Sequence, residues 1–302
     1  MTAVVARAPA KVNAQLAVGP LRPDGFHELR TVYLAVSLFD TVTVRPDEGL
    51  SVSVMGIDAD VVPTDRRNLV WRAAELLAAH AGVRADARIQ IDKSIPAAAG
   101  LAGGSADAAA ALVALDALWE TGAARADLDR LAAELGSDVP FSLLGGVALG
   151  SGRGEQLSPV LARTPSHWVL GIAGAGLSTP AVYAELDRLR AAGAVPGGTP
   201  VTPVEPVITA LRSGEPSDLA HALGNDLQAA ALALRPELGR ALRAATAAGA
   251  LAALVSGSGP TVAALAQDEQ SAVRLAAELA GAGVFRTVRA VQGPVPGARL
   301  VA

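Results

Sequence analysis

A glycine-rich stretch between Pro96 and Leu115 has the composition of an anion-binding loop followed by a helix. Its first half consists of Pro, Gly and small residues, and its second half is rich in Ala, with Ser105 predicted as the helix N-cap. Backbone N–H groups converge where a glycine loop meets a helix N-terminus, and the helix dipole favours negative charge there. The pattern therefore predicts phosphate binding, although the loop alone leaves a simple tight turn open as the alternative.

The spacing of these glycines excludes the better-known nucleotide loops. The sequence contains neither a Gly-Lys pair nor a G-x-G-x-x-G pattern, so it has no P-loop and no dinucleotide fingerprint. The segment Ala87–Asp92 before the loop alternates apolar and polar residues, which predicts a strand. Asp107 lies near the expected helix N-terminus, where a carboxylate interacts favourably with the dipole. We therefore expect a strand, a glycine loop and a helix to present the anion site together.

Two charged residues distant from this loop in the sequence, Lys11 and Asp138, are of types that suit phosphoryl transfer to an alcohol. That reaction needs the phosphates held, the hydroxyl aligned and an acceptor for the hydroxyl proton. Asp138 could accept the proton, and Lys11 could hold the reacting groups and offset charge at the transferring group. From residue types alone, a helix-cap role for Asp138 and an ordinary surface position for Lys11 remain open.

The elements that must position these residues are mostly strands in the first third of the chain and mostly helices in the last. The patterns predict strands over 4–7, 15–18, 28–38, 41–45, 50–55, 87–92, 167–173 and 284–291, and a hairpin over 251–266. They predict helices over 69–81, from 105, and over 127–135, 180–191, 217–234, 236–248 and 269–279. Arg22–Gly25 is a predicted turn and Gly193–Pro206 a predicted loop. This order of elements indicates the α+β class.

The composition limits the classes of function. The 302 residues are 51% hydrophobic and carry a formal net charge of −4 without a basic block, which argues against nucleic acids and anionic membranes as partners. The apolar runs are too short to span a bilayer, and the first residues lack the pattern of a signal peptide. The absence of cysteine excludes disulfides and thiolate chemistry. We therefore expect a soluble, cytoplasmic protein.

Five short motifs resemble, in the same chain order, the motifs of the GHMP kinases, the family of galactose, homoserine, mevalonate and phosphomevalonate kinases. They are Pro9–Asn13, the glycine loop from Pro96, Leu135–Phe141, Gly224–Leu227 and Val255–Thr261. Together these motifs extend over most of the chain. The resemblance implies a two-domain GHMP kinase fold, with a ribosomal-protein-S5-like domain over residues 1–160, a ferredoxin-like α/β sandwich over residues 161–302, and an active site in the cleft between them.

The same resemblance implies specific roles for residues. Lys11 and Asp138 would be catalytic, and ATP, bound with Mg²⁺, would be the phosphoryl donor. No dedicated set of metal ligands is expected, since Mg²⁺ often binds through one carboxylate and the phosphates. The ATP-binding residues would be Pro96, Ala97, Ala98, Ala99, Gly100, Leu101, Ala102, Gly103, Gly104, Ser105 and Ala106.

The segment Arg22–Glu28 resembles a turn in one branch of the family, which phosphorylates the 2-hydroxyl group of a cytidine diphosphate derivative in isoprenoid precursor biosynthesis. By that resemblance, Phe26 and Tyr183 would stack on the cytosine and His27 would bond its edge. Asn13 and Thr179 would make polar contacts with the substrate. Many relatives carry Tyr at the position of Phe26 and a bulky apolar residue at that of Gln15, and the sequence offers no reason for Gln15.

The sequence also bears on the alternatives to this interpretation. Another GHMP kinase, of the homoserine or mevalonate type, would not need the aromatic residues that suit a base. A non-catalytic ATP- and sugar-binding member of the family would not need both Lys11 and Asp138. A serine hydrolase is excluded because the sequence has no G-x-S-x-G motif, and four scattered histidines give no zinc site. The sequence leaves the oligomeric state open, monomer or homodimer.

Overall fold

The computed structural model of the protein describes residues 3–174, 176–197 and 203–301. The strands in this part of the chain are β1 Val4–Leu21, β2 His27–Arg45, β3 Leu50–Gly56, β4 Ala87–Lys93, β5 Val147–Ser151, β6 Gln156–Pro159, β7 Ser166–Ile172, β8 Gly224–Asn225, β9 Ala252–Val255, β10 Thr261–Ala266, β11 Thr287–Gly293 and β12 Arg299–Leu300. The helices are α1 Leu69–Ala81, α2 Gly103–Trp119, α3 Arg125–Leu135, α4 Val139–Leu144, α5 Thr179–Ala191, α6 Glu205–Ser213, α7 Pro216–Ala222, α8 Gln228–Leu234, α9 Glu237–Ala247 and α10 Glu269–Gly281, with a short 3₁₀ turn at Ala59–Val61. The prediction of the α+β class is confirmed.

A long antiparallel hairpin of β1 and β2 is the centre of the larger sheet, whose main order is β12-β1-β2-β4-β3. Strands β5 and β6 extend the sheet from β2, and β8 pairs in parallel with β1. The two short strands predicted over 4–7 and 15–18 form one continuous strand, because the intervening Pro9 lies where the register shifts. A residue without an N–H group is tolerated at such a bulge. The predicted Arg22 turn closes this hairpin, with Gly25 at φ +81.

Helix α2 forms the core of the larger half by packing against β1, β2 and α1. Its alanines at positions 106 and 108–111 are all buried, together with Leu112 and Leu115. Small side chains on most faces of a helix allow neighbouring elements to approach it from several directions, so that the helix is enclosed rather than amphipathic. The helix thereby fixes the position of the glycine loop at its N-terminus.

The smaller, antiparallel sheet has the order β11-β7-β10-β9 and is covered by α9 and α10. The hairpin predicted over 251–266 is confirmed as β9 and β10, which pair from Val255 and Val262 onwards. A second apolar core fills the space between this sheet and its helices, with Val169, Leu275 and Leu279 among its members. Among the described residues, no helix is both long enough and apolar enough to cross a bilayer.

The prediction of one continuous helix over residues 217–234 was wrong. This segment contains α7, the two-residue strand β8 and α8, because the backbone of Gly224 and Asn225 pairs with Gln15 and Leu16 of β1. Helix α6, which begins at Glu205 inside the predicted loop 193–206, was missed. Residues 198–202 of that predicted loop lie outside the described residues.

The domain boundary near residue 160 stays a prediction. The larger sheet contains mainly strands that precede this boundary, and the smaller sheet contains strands β7, β9, β10 and β11 that follow it. However, β8 and β12 also follow the boundary and join the larger sheet next to β1. Parts of the C-terminal half of the chain therefore pair with the sheet that is built mainly from the N-terminal half.

Candidate active site

A cleft of about 710 Å³ lies between the two halves of the molecule. Its walls come from β1, β2, the loop 96–106 (the phosphate loop), the start of α4, helix α5 and the turn 256–259 (the glycine turn). The predicted site residues that line the cleft are Lys11, Asn13, Phe26, His27, Ala98, Ala99, Gly100, Ala102, Gly103, Gly104, Ser105, Asp138, Thr179 and Tyr183. Residues that are separated by more than a hundred positions in the sequence therefore share one cavity.

Lys11 is buried in β1 and directs its ammonium group into this cleft. Its Nζ donates hydrogen bonds to Asn13 Oδ1 at 2.6 Å and to the carbonyl oxygen of Gly100 at 2.9 Å. Burial lowers the pKa of Lys11 from its usual value, and the negative charge of Asp138 partly opposes that shift. Both hydrogen-bond partners are neutral, so the positive charge of Lys11 is held close to Asp138 and open to an anionic ligand.

Asn13 is fixed by a chain of hydrogen bonds that runs back into the sheet. Its Nδ2 donates to Thr31 Oγ1 at 2.8 Å, and Thr31 donates to the carbonyl oxygen of Gln15 at 2.7 Å. Because the amide nitrogen is engaged by Thr31, the amide oxygen faces Lys11. The buried side chain of Gln15 fills the space beside Gly224, where an added Cβ would lie 2.6 Å from Oε1.

Asp138 precedes α4 and accepts a hydrogen bond from a residue that sequence reasoning missed. The hydroxyl group of Tyr33 donates to Asp138 Oδ1 at 3.0 Å, and the Tyr33 ring stacks on Phe141 with centroids 4.8 Å apart. Burial and the neighbouring carboxylate raise the pKa of Tyr33 well above its usual value, so the phenol remains a donor. Asp138 is the N-cap residue of α4, yet its side chain makes no cap hydrogen bond and is available to the cleft.

The phosphate loop joins α2 at an earlier residue than the sequence predicts. Ala98, Gly100 and Ala102 all have positive φ, and Ala102, not Ser105, is the N-cap residue of α2. The predicted capping role of Ser105 was therefore wrong, because the helix begins two residues earlier, at Gly103. The first intrahelical bond runs from Ala106 N to Ala102 O, so the preceding N–H groups at 103–105 lie at the open end of the helix beside the cleft.

Four predicted ATP-binding residues, Pro96, Ala97, Leu101 and Ala106, do not line the cleft. Leu101 and Ala106 have side chains in the main core, and the N–H group of Ala97 donates to Asp58 Oδ2 at 3.1 Å. These residues therefore support the phosphate loop on the side that faces away from the cleft.

A buried ion cluster of Lys93, Asp40 and Asp107 supports the phosphate loop from below. Lys93 Nζ contacts Asp40 Oδ2 and lies 2.7 Å from Asp107 Oδ2, while Asp40 Oδ1 accepts from the N–H groups of Ser94 and Ile95 at 2.6 and 2.7 Å. Asp107 was expected to interact with the dipole of α2, but its charge is instead matched by Lys93. Burial raises the pKa of Asp107, which makes its charge dependent on the single ammonium group beside it.

The glycine turn closes the cleft on the side of the smaller sheet. Gly257 has φ +58, and a Cβ there would lie 3.1 Å from Lys11 Nζ, so its backbone approaches the lysine closely. Asn225 holds this turn by donating to the carbonyl oxygens of Val255 and Gly257, both at 2.7 Å. Asn225 of the predicted Gly224–Leu227 motif therefore acts on the site through the glycine turn, whereas Leu227 lines the cleft directly.

Aromatic side chains gather at the other end of the cleft. His27 and Tyr183 stack with ring centroids 5.1 Å apart, and His27 Nε2 lies 2.9 Å from Asp187 Oδ1. The Phe26 side chain is 49% exposed, so one face of its ring is available to a ligand. Thr179 exchanges a hydrogen bond with Ser258 at 2.9 Å. Sequence reasoning missed Asp187, which follows Tyr183 by one helical turn, and that spacing is the signal that could have identified it.

A metal site built from protein ligands alone is not present within residues 3–174, 176–197 and 203–301. No group of three or more His, Asp or Glu side chains in those ranges is arranged to hold an ion. The side chains that bring carboxylate or hydroxyl oxygens to the cleft include those of Asp138, Asp187, Ser105, Ser137, Thr179 and Ser258.

Comparison with protein-family models identifies two matching regions. The model of the GHMP kinases N-terminal domain matches residues 68–146, and the model of the GHMP kinases C-terminal domain matches residues 207–284. The first match contains the phosphate loop and Asp138, and the second contains the glycine turn.

Curated relatives are similar to this chain over almost its entire length. It is 62% identical over 300 residues to the 4-diphosphocytidyl-2-C-methyl-D-erythritol kinase of Rhodococcus jostii, covering 99% of this chain and 95% of that protein. It is 59% identical over 299 residues to the kinase of the same name from Mycobacterium tuberculosis, covering 99% and 93%.

Solved structures agree in fold. A crystal structure of 4-(cytidine 5'-diphospho)-2C-methyl-D-erythritol kinase superimposes with a TM-score of 0.77 at 37% identity, covering 95% of this chain and 98% of the other. Homoserine kinase from Cytophaga hutchinsonii has a TM-score of 0.76 at 18% identity, covering 100% and 98%. The second likeness concerns the fold alone.

Replacing Lys93 by Met is expected to lower the free energy of unfolding by about 3–5 kcal/mol, because two buried carboxylates lose their counter-ion. Chemical denaturation measures this change. The matched control is Arg66→Met, since Arg66 forms an exposed pair with Glu75 and should contribute less than about 1 kcal/mol. Equal losses in the two variants would contradict the supporting role of the cluster.

Replacing Gly100 by Ala is expected to weaken ATP binding and stability together. Gly100 has φ +76, and an added Cβ would overlap the backbone carbonyl oxygen of Ser256. Gly82→Ala is the matched control, since Gly82 has φ +68 but open space around it and should cost only about 1–3 kcal/mol of backbone strain. Comparable KM values for ATP and comparable unfolding midpoints in both variants would refute the close contact between the phosphate loop and the glycine turn.

Proposed function

The chain belongs to the GHMP kinase family, and we propose that it phosphorylates the 2-hydroxyl group of 4-diphosphocytidyl-2-C-methyl-D-erythritol with ATP. The observation that carries this function is identity of about 60% over 99% of the chain with kinases of that name. The products are the 2-phosphate and ADP, a step of the non-mevalonate pathway to isoprenoid precursors. A homoserine or mevalonate kinase, or a non-catalytic family member, is not favoured by that similarity.

The phosphates of ATP are assigned to the open N-terminus of α2. Gly103 and Gly104 carry no side chains that would keep phosphate oxygens away, and their N–H groups lie at the positive end of the helix dipole. Ser105 adds a hydroxyl group on the same side. This placement directs the terminal phosphoryl group towards Lys11 and Asp138, which line the same cleft.

Asp138 is assigned as the acceptor of the hydroxyl proton. Tyr33 occupies Oδ1 and orients the carboxylate, so that we assign Oδ2 to the substrate hydroxyl. As the new O–P bond forms and the bond to ADP breaks, the proton passes from the hydroxyl to Asp138. Tyr33 is a positioning residue in this scheme, since it acts through Asp138.

Lys11 is assigned to stabilise negative charge on the transferring group. Its buried ammonium group is hydrogen-bonded to two neutral oxygens, those of Asn13 and Gly100, so that no carboxylate bonded directly to it neutralises its charge. Charges in such settings act more strongly than in water. Asn13, two residues further along β1, accepts a hydrogen bond from Lys11. The close approach of Gly257 limits the space into which the Lys11 side chain could move.

The donor set of the cleft fits a Mg²⁺ ion that arrives with ATP. Ser105 offers one hydroxyl oxygen beside the phosphates assigned to α2, and Mg²⁺ typically takes one or two protein oxygens beside substrate phosphates. The ion would neutralise charge on the phosphates when it is bound. We propose this assignment from the chemistry of that side chain alone.

The cytosine is assigned to the aromatic end of the cleft, against Phe26 and Tyr183. Because the carboxylate of Asp187 accepts from His27 Nε2, a neutral His27 presents Nδ1 as an acceptor. That atom could accept from the amino group of cytosine. Thr179 and Asn13 would contact the sugar-alcohol part of the substrate, between the base and the phosphate loop.

Three further assignments belong to this proposal. The first half of the GHMP kinase fold would extend over residues 1–160 and the second over residues 161–302. The partners would be ATP and the cytidine diphosphate derivative, with no nucleic acid or membrane. A cytoplasmic location is consistent with a chain that contains no cysteine.

The direct test is an ADP-release assay with three alcohols, namely 4-diphosphocytidyl-2-C-methyl-D-erythritol, homoserine and mevalonate. We expect turnover with the cytidine compound and negligible turnover with the other two. Turnover with homoserine or mevalonate at a comparable kcat/KM would overturn the proposed substrate.

Replacing Asp138 by Asn is expected to lower kcat by about 10²–10⁴-fold with little change in KM, because the proton acceptor is lost while the shape is kept. Steady-state kinetics measures this split. Asp129→Asn, at an exposed carboxylate on α3, is the control and should leave kcat unchanged. Near-normal turnover of the Asp138 variant would remove this residue from the mechanism.

Replacing Phe26 by Ala is expected to raise KM for the cytidine substrate by about 5- to 150-fold and to leave KM for ATP nearly unchanged, since stacking contributes ~1–3 kcal/mol per base. Phe26→Tyr retains the ring and should retain the affinity. An equal rise in both KM values, or no rise in either, would contradict the assignment of the base to this end of the cleft.

A further inference from the structure

Arg153 lines the cleft, and the proposed mechanism gives it no role. It lies in the turn between β5 and β6, and its guanidinium carbon sits 5.0 Å from the centre of the Phe26 ring. The side chain is 35% exposed.

The turn that carries Arg153 is hydrogen-bonded to the first residues of β2, which directly follow Phe26. Leu29 N donates to Gly152 O at 2.8 Å, and Gly152 N donates to the carboxylate of Glu28 at 3.2 Å. Arg153 N donates to Glu155 Oε2 at 2.7 Å, which fixes the backbone at the arginine itself. The backbone at Arg153 is therefore fixed relative to the sheet.

The same turn also reaches the reacting end of the cleft. Gly154 packs against the Tyr33 hydroxyl group so closely that an added Cβ would overlap it, and that hydroxyl group donates to Asp138. The turn that carries Arg153 therefore contacts Phe26, where the base is assigned, and also Tyr33, which holds Asp138, where the hydroxyl group reacts. In a substrate that joins a base to an alcohol through a diphosphate, the diphosphate must cross this interval.

Among the basic side chains of the cleft, Arg153 also has the weakest interactions with other protein groups. Of the described residues that line the cleft, the basic ones are Lys11, Arg153 and His27. Lys11 is bonded to Asn13 and Gly100, and His27 is bonded to Asp187. The carboxylate paired with Arg153, that of Glu155, lies 3.9 Å from Nε and already accepts from the backbone.

We propose that Arg153 binds the diphosphate group of the substrate and so selects nucleoside diphosphate derivatives over nucleosides and their monophosphates. This inference rests on the proposed function, since it needs the base at Phe26. A planar guanidinium group forms paired, charge-assisted hydrogen bonds with phosphate oxygens. While doing so it can remain above the Phe26 ring, because cation and ring interact through the face of the guanidinium plane and the hydrogen bonds lie in that plane.

The test is calorimetric titration of cytidine, CMP and CDP into the protein, with a non-hydrolysable ATP analogue present to keep CDP out of the ATP site. We expect the wild type to bind CDP more tightly than cytidine. Arg153→Met keeps an apolar side chain against Phe26 and removes the charge. In that variant CDP affinity should fall about 10- to 100-fold, while cytidine affinity changes less than about 3-fold.

Two further variants sharpen the comparison. Arg153→Lys keeps the charge without the planar fork and should show an intermediate loss for CDP. Arg22→Met removes a nearby arginine that is already paired with Glu28 at 3.0 Å, and it should leave the preference for CDP intact. Unfolding curves of all variants establish that they fold.

An equal loss for all three ligands in Arg153→Met would overturn the proposal, because Arg153 would then act only by supporting Phe26. No loss for any ligand, or a wild type without preference for CDP, would also overturn it. The proposed function fails separately, if the wild type does not phosphorylate the cytidine substrate, because the binding measurements do not depend on turnover.

Discussion

The carbonyl group of Gly100 is the point on which the geometry of the cleft depends. It accepts hydrogen bonds from Lys11 Nζ and, at 3.3 Å, from Ser256 Oγ, so that β1, the phosphate loop and the glycine turn meet at one oxygen atom. The meeting is possible because Gly100 and Gly257 lack side chains and adopt positive φ. The two halves of the molecule are thereby held in register where the phosphoryl group is assigned to pass.

The two buried ammonium groups near the phosphate loop have hydrogen-bond partners of different charge. Lys93 faces two carboxylates, and its charge serves to neutralise them and to fix the loop. Lys11 faces an amide oxygen and a carbonyl oxygen, and its charge remains available for a ligand. The same residue type is thus structural in one place and proposed to be catalytic in the other, and the difference lies in the formal charge of the hydrogen-bond partners.

The sequence was sufficient for those parts of the site that consist of contiguous motifs. The phosphate loop, Lys11, Asp138 and the glycine turn were all expected, and they line one cleft. Tyr33 and Arg153 were not expected, since each is a single residue in a strand or turn, and its role arises from pairing between distant strands. The start of α2 was misplaced for a similar reason. Ser105 is a residue type that often caps helices, but the helix begins earlier, after Ala102, which adopts the left-handed conformation. No local sequence pattern predicts that conformation for an alanine.

The burial of Lys11 and Lys93 has a consequence for the outside of the molecule. These are the two lysines of the chain, and the remaining side-chain cations of permanent charge are arginines. Reagents that acylate primary amines, and enzymes that attach ubiquitin or acetyl groups to lysine, therefore meet an exterior on which the described part of the chain offers them almost no ε-amino group. Slow acylation of Lys11 would in turn report directly on how often the cleft opens to solvent.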